Sequence, residues 1–320
     1  MRPVFLVSAA LAAEGGNGVP EDVNRLRRMD RFGRTGFLAG MRAFSAPGLS
    51  RPRGTDTRGG VVVGTRYGCR PAITEHALLL AAAARVEDLA PSVFASTVHN
   101  SVNGELAMAL GLGGVSETIV SGRSAGLEAL ILGARRVATA AADRVLVVAA
   151  EGIDDAMRAA WEQERSALGP RAAGVELVES GASVLLEARE EEPASEKGIP
   201  TRHVCDTLFF EPDARRASTR LLEWMKEIEE GLGGNVRPAV SLCVPDYEDF
   251  LEGEERRGDP PRIERFGAAG LYEIARDVLS RRAHAAGQPP PHSPSKKIRA
   301  YVTRDVSGAV AAVLLESDSF

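Results

Sequence analysis

The chain is poor in the residues that build metal sites and disulfide frameworks. Its 320 residues include three scattered cysteines, Cys69, Cys205 and Cys243, with no CxxC spacing, and five dispersed histidines. That scarcity speaks against a disulfide scaffold or a zinc site and fits a reducing cytoplasm, the expected location. No GxxxxGK[ST] loop is present, so neither a nucleotide, an organic cofactor nor a metal is expected. No stretch reaches the ~18–20 apolar residues of a membrane span. There is no basic excess either: the net charge is −5, which gives no reason to expect nucleic acid as a partner. What remains is a globular composition, 44% hydrophobic, long enough for one large domain or two smaller ones.

The N-terminal MRPVFLVSAALAAEGG has two readings. One is a secretory signal with a minimal basic region. The favoured one is a buried first strand over Val4–Ala10 that stops before Gly15-Gly16. A short helix over Glu21–Arg28 and a second from about Met29 to Phe44 follow, then a loop rich in Pro, Gly and Arg. Val61-Val62-Val63-Gly64 reads as a buried strand. Ala72–Arg85 reads as an alanine-rich helix packed into the core. His99-Asn100 sits at a loop–helix junction, where a lone histidine is structural more often than catalytic, and the helix after it ends at Gly111 and Gly113.

The centre of the chain is Ser116–Glu151. Thr118–Val120 is β-prone. Leu127, Leu130, Ile131, Ala134 and Val137 recur at helical steps, and Val145–Val148 is an apolar run of strand length. The turn between strand and helix presents free N–H groups and a positive dipole end, where enzymes hold a nucleophile or an oxyanion. Here that turn carries Arg123 and Ser124.

Past Ile153 the expected elements are a helix to Arg165 and a strand over Ala182–Glu187. The charged stretch Glu190–Gly198, with Pro193, is the candidate boundary between residues 1–190 and residues 191–320. Beyond it the grammar repeats. A strand is expected over Thr201–Phe209, a helix over Ala214–Glu230 and a strand over Ala239–Val244. An acidic helix from Tyr247, a helix over Ala268–Ala285, and a closing hairpin of Ile298–Thr303 with Ala309–Leu315 follow. Two halves of alternating strands and helices point to layered sheets covered by helices.

Seven segments in order carry a resemblance: MDRF (29–32), VVVGT (61–65), TVHNSVNGELAMALGLGG (97–114), the central strand–turn–helix, ESGASVLLE (179–187), FGAAG (266–270) and VSGAVAAVLLE (306–316). With them the chain resembles the β-ketoacyl synthases of the thiolase fold over nearly its full length. The resemblance implies an α/β fold, a thiolase-like αβαβα layered sandwich of two duplicated halves (1–190 and a shortened 191–320), and a dimer. It also implies the family's chemistry: a cysteine thiolate at the central turn takes the acyl chain, and two histidines support decarboxylation and hold the enolate oxyanion.

This sequence departs at all three positions. Arg123 falls where the cysteine belongs. The first histidine motif falls on Leu242-Cys243-Val244-Pro245-Asp246, and the second histidine position becomes Glu264. A guanidinium stays protonated and offers only donors, so Arg123 is no nucleophile. The resemblance therefore implies a non-catalytic subunit of the chain-length-factor kind, paired with an intact ketosynthase as a heterodimer or with itself. An acyl carrier protein would then meet it only indirectly. One alternative is a serine acyltransferase or hydrolase using Ser124 in GRSAG, with His203, His284 or His292 as base. Another is a non-enzymatic scaffold, and a shifted alignment would make Cys243 the nucleophile. A buried Arg123 needs a carboxylate, and Glu264 is the expected partner, with Asp246 or Glu128 as substitutes.

Overall fold

The computed structural model describes residues 1–13, 23–46, 49, 52, 54–83, 85, 91–168, 176–190, 201–210, 213–231, 239–242, 263–264, 268–285, 295–304 and 309–319. The expected acidic helix from Tyr247, the boundary stretch 191–200 and the loop 286–294 lie outside the described residues.

In the N-terminal half, β1 (Val4–Ala13) is followed by the short α1 (Val23–Leu26) and by α2 (Arg31–Phe44). Next come β2 (Gly59–Thr65), α3 (Arg70–Ala82), α4 (Pro91–Ala95) and α5 (Ser101–Leu110). The central stretch forms β3 (Ser116–Val120), α6 (Ala125–Ala138) and β4 (Arg144–Glu151). Then follow α7 (Asp155–Leu168), the two-residue β5 (Glu176–Leu177) and β6 (Ser180–Ala188). The C-terminal half has β7 (Thr201–Phe210), α8 (Ala214–Gly231), β8 (Ala239–Leu242) and β9 (Ile263–Glu264). It closes with α9 (Ala269–Ala285), β10 (Ser295–Arg304) and β11 (Ala309–Ser319). The N-terminal apolar run is thus a strand, paired with β6 throughout and with β7 at its start.

Strand order shows the duplication. The nine long strands run β3-β2-β4-β6-β1-β7-β11-β10-β8. Outward from the β1/β7 seam, β1-β6-β4-β2 is matched by β7-β11-β10-β8. Each series starts with antiparallel neighbours and ends on a parallel pair, β4 with β2 and β10 with β8. The seam itself is short, only Val4–Leu6 against Thr201–His203.

Side-chain alternation along the strands sorts the layers. Val61, Val63, Leu146 and Val148 meet α2 and α5 on the outer face, through Phe37, Met41, Val102 and Leu106. Val62, Val145, Val147 and Val184 face inward onto α6 and α9, whose other sides meet Tyr301, Ala311 and Val313 of the second half. Ala300, Val302, Ala312 and Leu314 turn outward again, under Ala217 and Leu221 of α8. The layers therefore run helix, sheet, helix, sheet, helix, with α6 and α9 in the middle.

One expectation is corrected. Residues 70–82 do form a helix, but it is not core: within α3 only Ala72 is buried, and Ile73, Leu78, Leu79 and Leu80 are exposed. The alanine and leucine content is spread around the whole helix rather than gathered on one face, so composition alone could not tell a core helix from an uncovered one. Beside it, His76 stands edge-on to the exposed Phe94 of α4, their ring centroids 5.9 Å apart.

Candidate functional site

The site forms where the parallel strands β3, β2 and β4 end. The chain leaves β3 through Ser121, whose amide bonds the Thr65 carbonyl at the end of β2, and enters α6 two residues after Arg123. Strand and helix come so close here that a Cβ on Gly64 would sit 2.3 Å from the Ala125 carbonyl oxygen. Only glycine lets β2 support the start of α6 at that distance.

At this turn Arg123 is fully buried. Its Nη2 donates to Glu164 Oε1 at 3.0 Å, and its guanidinium carbon lies 5.9 Å from the centre of the Trp161 ring. Arg66, on the turn after β2, reaches the other oxygen of Glu164 at 3.7 Å and covers the Tyr67 ring at 4.9 Å. One carboxylate on α7 is thus shared by two guanidiniums. The packing beneath consists of Ile153, Met157, Trp161 and Leu177, with Tyr67 at its edge.

Among the described side chains a compensating carboxylate is Glu164, which sequence reasoning did not name. Glu128 instead accepts hydrogen bonds from the Ser121 and Ser124 hydroxyls in the first turn of α6. Asp246 lies outside the described residues, as does Cys243. The Glu264 backbone pairs in β9 with Leu177, a wall of this cluster; its side chain lies outside what is described. Leu242 ends β8, its backbone in register with Val302. A signal for the missed partner was available: Met157, Trp161 and Glu164 follow Ile153 at steps of four, four and three, one helical face that carries a carboxylate.

Ser124 is wholly buried at the N-cap of α6, and its hydroxyl is engaged by Glu128 rather than by a histidine. Of the histidines considered as its base, His203 lies on β7 with Nε2 3.2 Å from Asp206. The side chain of His284 and all of His292 lie outside the described residues. His99 Nδ1 lies 3.5 Å from Cys69 Sγ. Cys69 is fully buried, and desolvation with the nearby Asp30 pushes its thiol up to about 11, the mark of a packing cysteine. Among the described residues no group of His, Cys, Asp and Glu could hold a metal ion.

Carboxyl groups stitch the surrounding turns together. Glu151, at the end of β4, accepts from the Arg66 and Tyr67 amides and the Thr65 hydroxyl. Desolvation pushes its pKa up to about 7 against those hydrogen bonds. Asp30 caps α2 through the Gly33 amide, and desolvation pushes it up to about 6. Outside this cluster a cleft of about 570 Å³ opens at the starts of α2 and α3, lined by Arg27, Arg28, Arg31 and Arg34 together with Asp30 and Asp154.

Residues 21–191 match the family described as Beta-ketoacyl synthase, N-terminal domain. The chain belongs to the β-ketoacyl synthase family. Among solved structures it is similar to one described as the ishigamide ketosynthase/chain length factor, at 18% identity and a TM-score of 0.76, covering 98% of this chain and 99% of that one. It is also similar to a type II polyketide synthase acyl-carrier protein complex with its ketosynthase bound to the hexaketide, at 17% identity and a TM-score of 0.75, with full coverage of both chains. A β-ketoacyl synthase from Burkholderia phymatum matches at 13% identity and a TM-score of 0.68, again over the whole of both chains. At these identities the likeness is one of fold. No curated protein sequence matches the chain. Among the described residues no helix is long and apolar enough to cross a membrane.

Proposed function

We propose that the protein is a non-catalytic ketosynthase-like subunit that pairs with an intact ketosynthase, in the manner of a chain-length factor. One observation carries this reading: the turn that should hold a thiolate holds a buried arginine locked to Glu164. A guanidinium can neither attack a thioester nor carry an acyl group, and Trp161 fills the space above it.

The pairing rests on a second feature. β3 is an edge strand with Val120 exposed, and α5, which packs beside β3, exposes Met108. With the uncovered leucines of α3 and Phe94 of α4, these exposed apolar side chains favour a covering partner, and an open strand edge invites pairing. In this reading an intact ketosynthase of the same fold pairs its edge with β3; a second copy of this chain is the other candidate. The arginine-lined cleft beside α2 offers an acidic carrier protein a surface.

Co-expression with an intact ketosynthase tests the proposal. A stable one-to-one complex is expected, with condensation that depends on the partner's cysteine and survives Arg123→Met. Thr118→Pro, which removes a donor from the β3 edge, should dissociate it. A chain that stays monomeric beside the ketosynthase and hydrolyses acyl esters alone, with the activity lost in Ser124→Ala, would replace this reading with the serine-hydrolase one.

A further inference from the structure

The outer helix of the second half carries its charges in the order its own backbone disfavours. α8 buries Ala217, Leu221 and Met225 against Ala300, Val302, Ala312 and Leu314. On the opposite face Arg216, Arg220, Glu223, Glu227 and Glu230 are all exposed, at steps of four, three, four and three, which makes one straight stripe. The arginines hold its N-terminal half, after Asp213, which accepts the Arg216 amide. No acidic residue stands in the first turn of α8 and no basic one in the last. A helix dipole favours the reverse, anions at the N-terminus and cations at the C-terminus. Neighbours four apart in the stripe also repel, Arg216 with Arg220 and Glu223 with Glu227, which weakens a helix. Lys226 relieves the acidic end only loosely, 3.9 Å from Glu230. The stripe is unfavourable to the chain that carries it, yet complementary to a second copy of itself.

We propose that α8 is a contact surface for a second copy of this chain, the two helices lying antiparallel across a two-fold axis. Each copy then presents the same patch to the other, as an isologous interface requires. With the axis at Glu223, Arg216 of one copy faces Glu230 of the other, and Arg220 faces Glu227. The two copies of Glu223 meet near the axis, a like-charged contact inside the stripe. Exposed ion pairs are individually weak and screened by salt, so the association is weak and ionic. The surface is separate from the β3 edge. β3 ends the sheet of the first half, whereas α8 covers the outer face of the second, so copies can meet here whether or not β3 is occupied.

Sedimentation velocity of the whole chain reads the contact. At low salt the wild type should show an association that disappears at about 1 M salt, where the screening length falls to about 3 Å. Pairing at the β3 edge, built on backbone hydrogen bonds and apolar contacts, should not show that dependence. Arg216→Glu with Arg220→Glu makes the stripe acidic, and Glu227→Arg with Glu230→Arg makes it basic; each should weaken self-association at least tenfold. An equimolar mixture of the two should restore it, because the outer positions of the stripe again meet their opposites. Both sets of changes follow the preference of the dipole, so the fold should hold. Glu223→Gln should tighten the contact and Glu227→Gln should weaken it, although each removes one negative charge from a chain of net charge −5. A wild type without salt-dependent association overturns the proposal, as does a mixture that associates no better than its components. Equal shifts in the two glutamine variants would do the same, since they would report net charge alone.

Discussion

The two helices of the middle layer are counterparts in the duplication, yet their starts are built differently. Before α6 the chain places a buried arginine, two serine hydroxyls on Glu128, and an ion pair reaching forty-one residues along the sequence to Glu164. At the start of α9 the described contacts are apolar. Ala268 and Leu271 are buried, no acidic residue stands in the first turn, and a Cβ on Gly270 would meet Leu127 of α6 at 2.5 Å. The two halves share strand order and layer position but not chemistry. Duplication gave two equivalent helix N-termini. In this chain one anchors a charge cluster and the other only fits against its neighbour. The sheet edges differ as well: on the N-terminal side β3 lies outside β2, and among the described residues no strand lies outside its counterpart β8.

Removing the carboxylate of the first half should produce the largest effect. Glu164→Leu leaves Arg123 buried without that partner and should lower stability by about 3 kcal/mol, while adding Arg123→Met should restore most of it. Urea denaturation of the single and double variants measures this; equal losses in both would show that the pair is not coupled.

The glycines at the two helix starts give the next contrast. In Gly64→Ala the new Cβ meets backbone, the Ala125 carbonyl, whereas in Gly270→Ala it meets side chains, Leu127 and Thr303. The first should lose at least 2 kcal/mol more than the second, by the usual scale of overpacking. A larger loss at Gly270 would mean that α9, not α6, is the more tightly held helix.

A pH profile separates the halves further. Glu151, with its pKa raised to about 7 by burial, binds its proton more tightly folded than unfolded. Its stabilising contribution is full below about pH 4.5 and is lost as the pH rises through 7, a change of about 3 kcal/mol by linkage. Asp30, raised to about 6, adds a decline that finishes earlier. Thermal melts should therefore fall from pH 5 to pH 7.5, and Glu151→Gln should flatten the upper part of that slope. An unchanged slope in the variant would assign the titration elsewhere.

Ser124→Ala should matter least. Its hydroxyl bonds a carboxylate in its own helix, so a loss of about 1 kcal/mol is expected, with no change in any acyl-ester hydrolysis by the purified chain.

Most of the fold was legible in the sequence because it rests on short-range patterns. The valine run 145–148 and the helical stripe of 127–137 became β4 and α6, and the closing segments became the β10–β11 pair. Arg123 was legible as an exception for the same reason: a charged side chain at a turn fixed by flanking glycines. The part played by Glu164 was not. A cation at a turn does not say which carboxylates reach it, and the expected partner Glu264 has its side chain outside what is described. Glu164 closes the cluster only because α7 folds back over the end of β4. The exposure of α3 was missed through another limit, since composition signals a helix but not what covers it.

The most direct test of the central claim, that this turn holds a pair instead of doing acyl chemistry, is the intact mass of the chain after exposure to an acyl thioester. Purified protein would be incubated with excess octanoyl thioester, alone and beside an intact ketosynthase, and each chain weighed. The expected spectrum shows an octanoyl adduct on the ketosynthase and none on this chain, in wild type and in Glu164→Gln alike. An octanoyl adduct on this chain, mapping to Ser124 or Cys243, would contradict it.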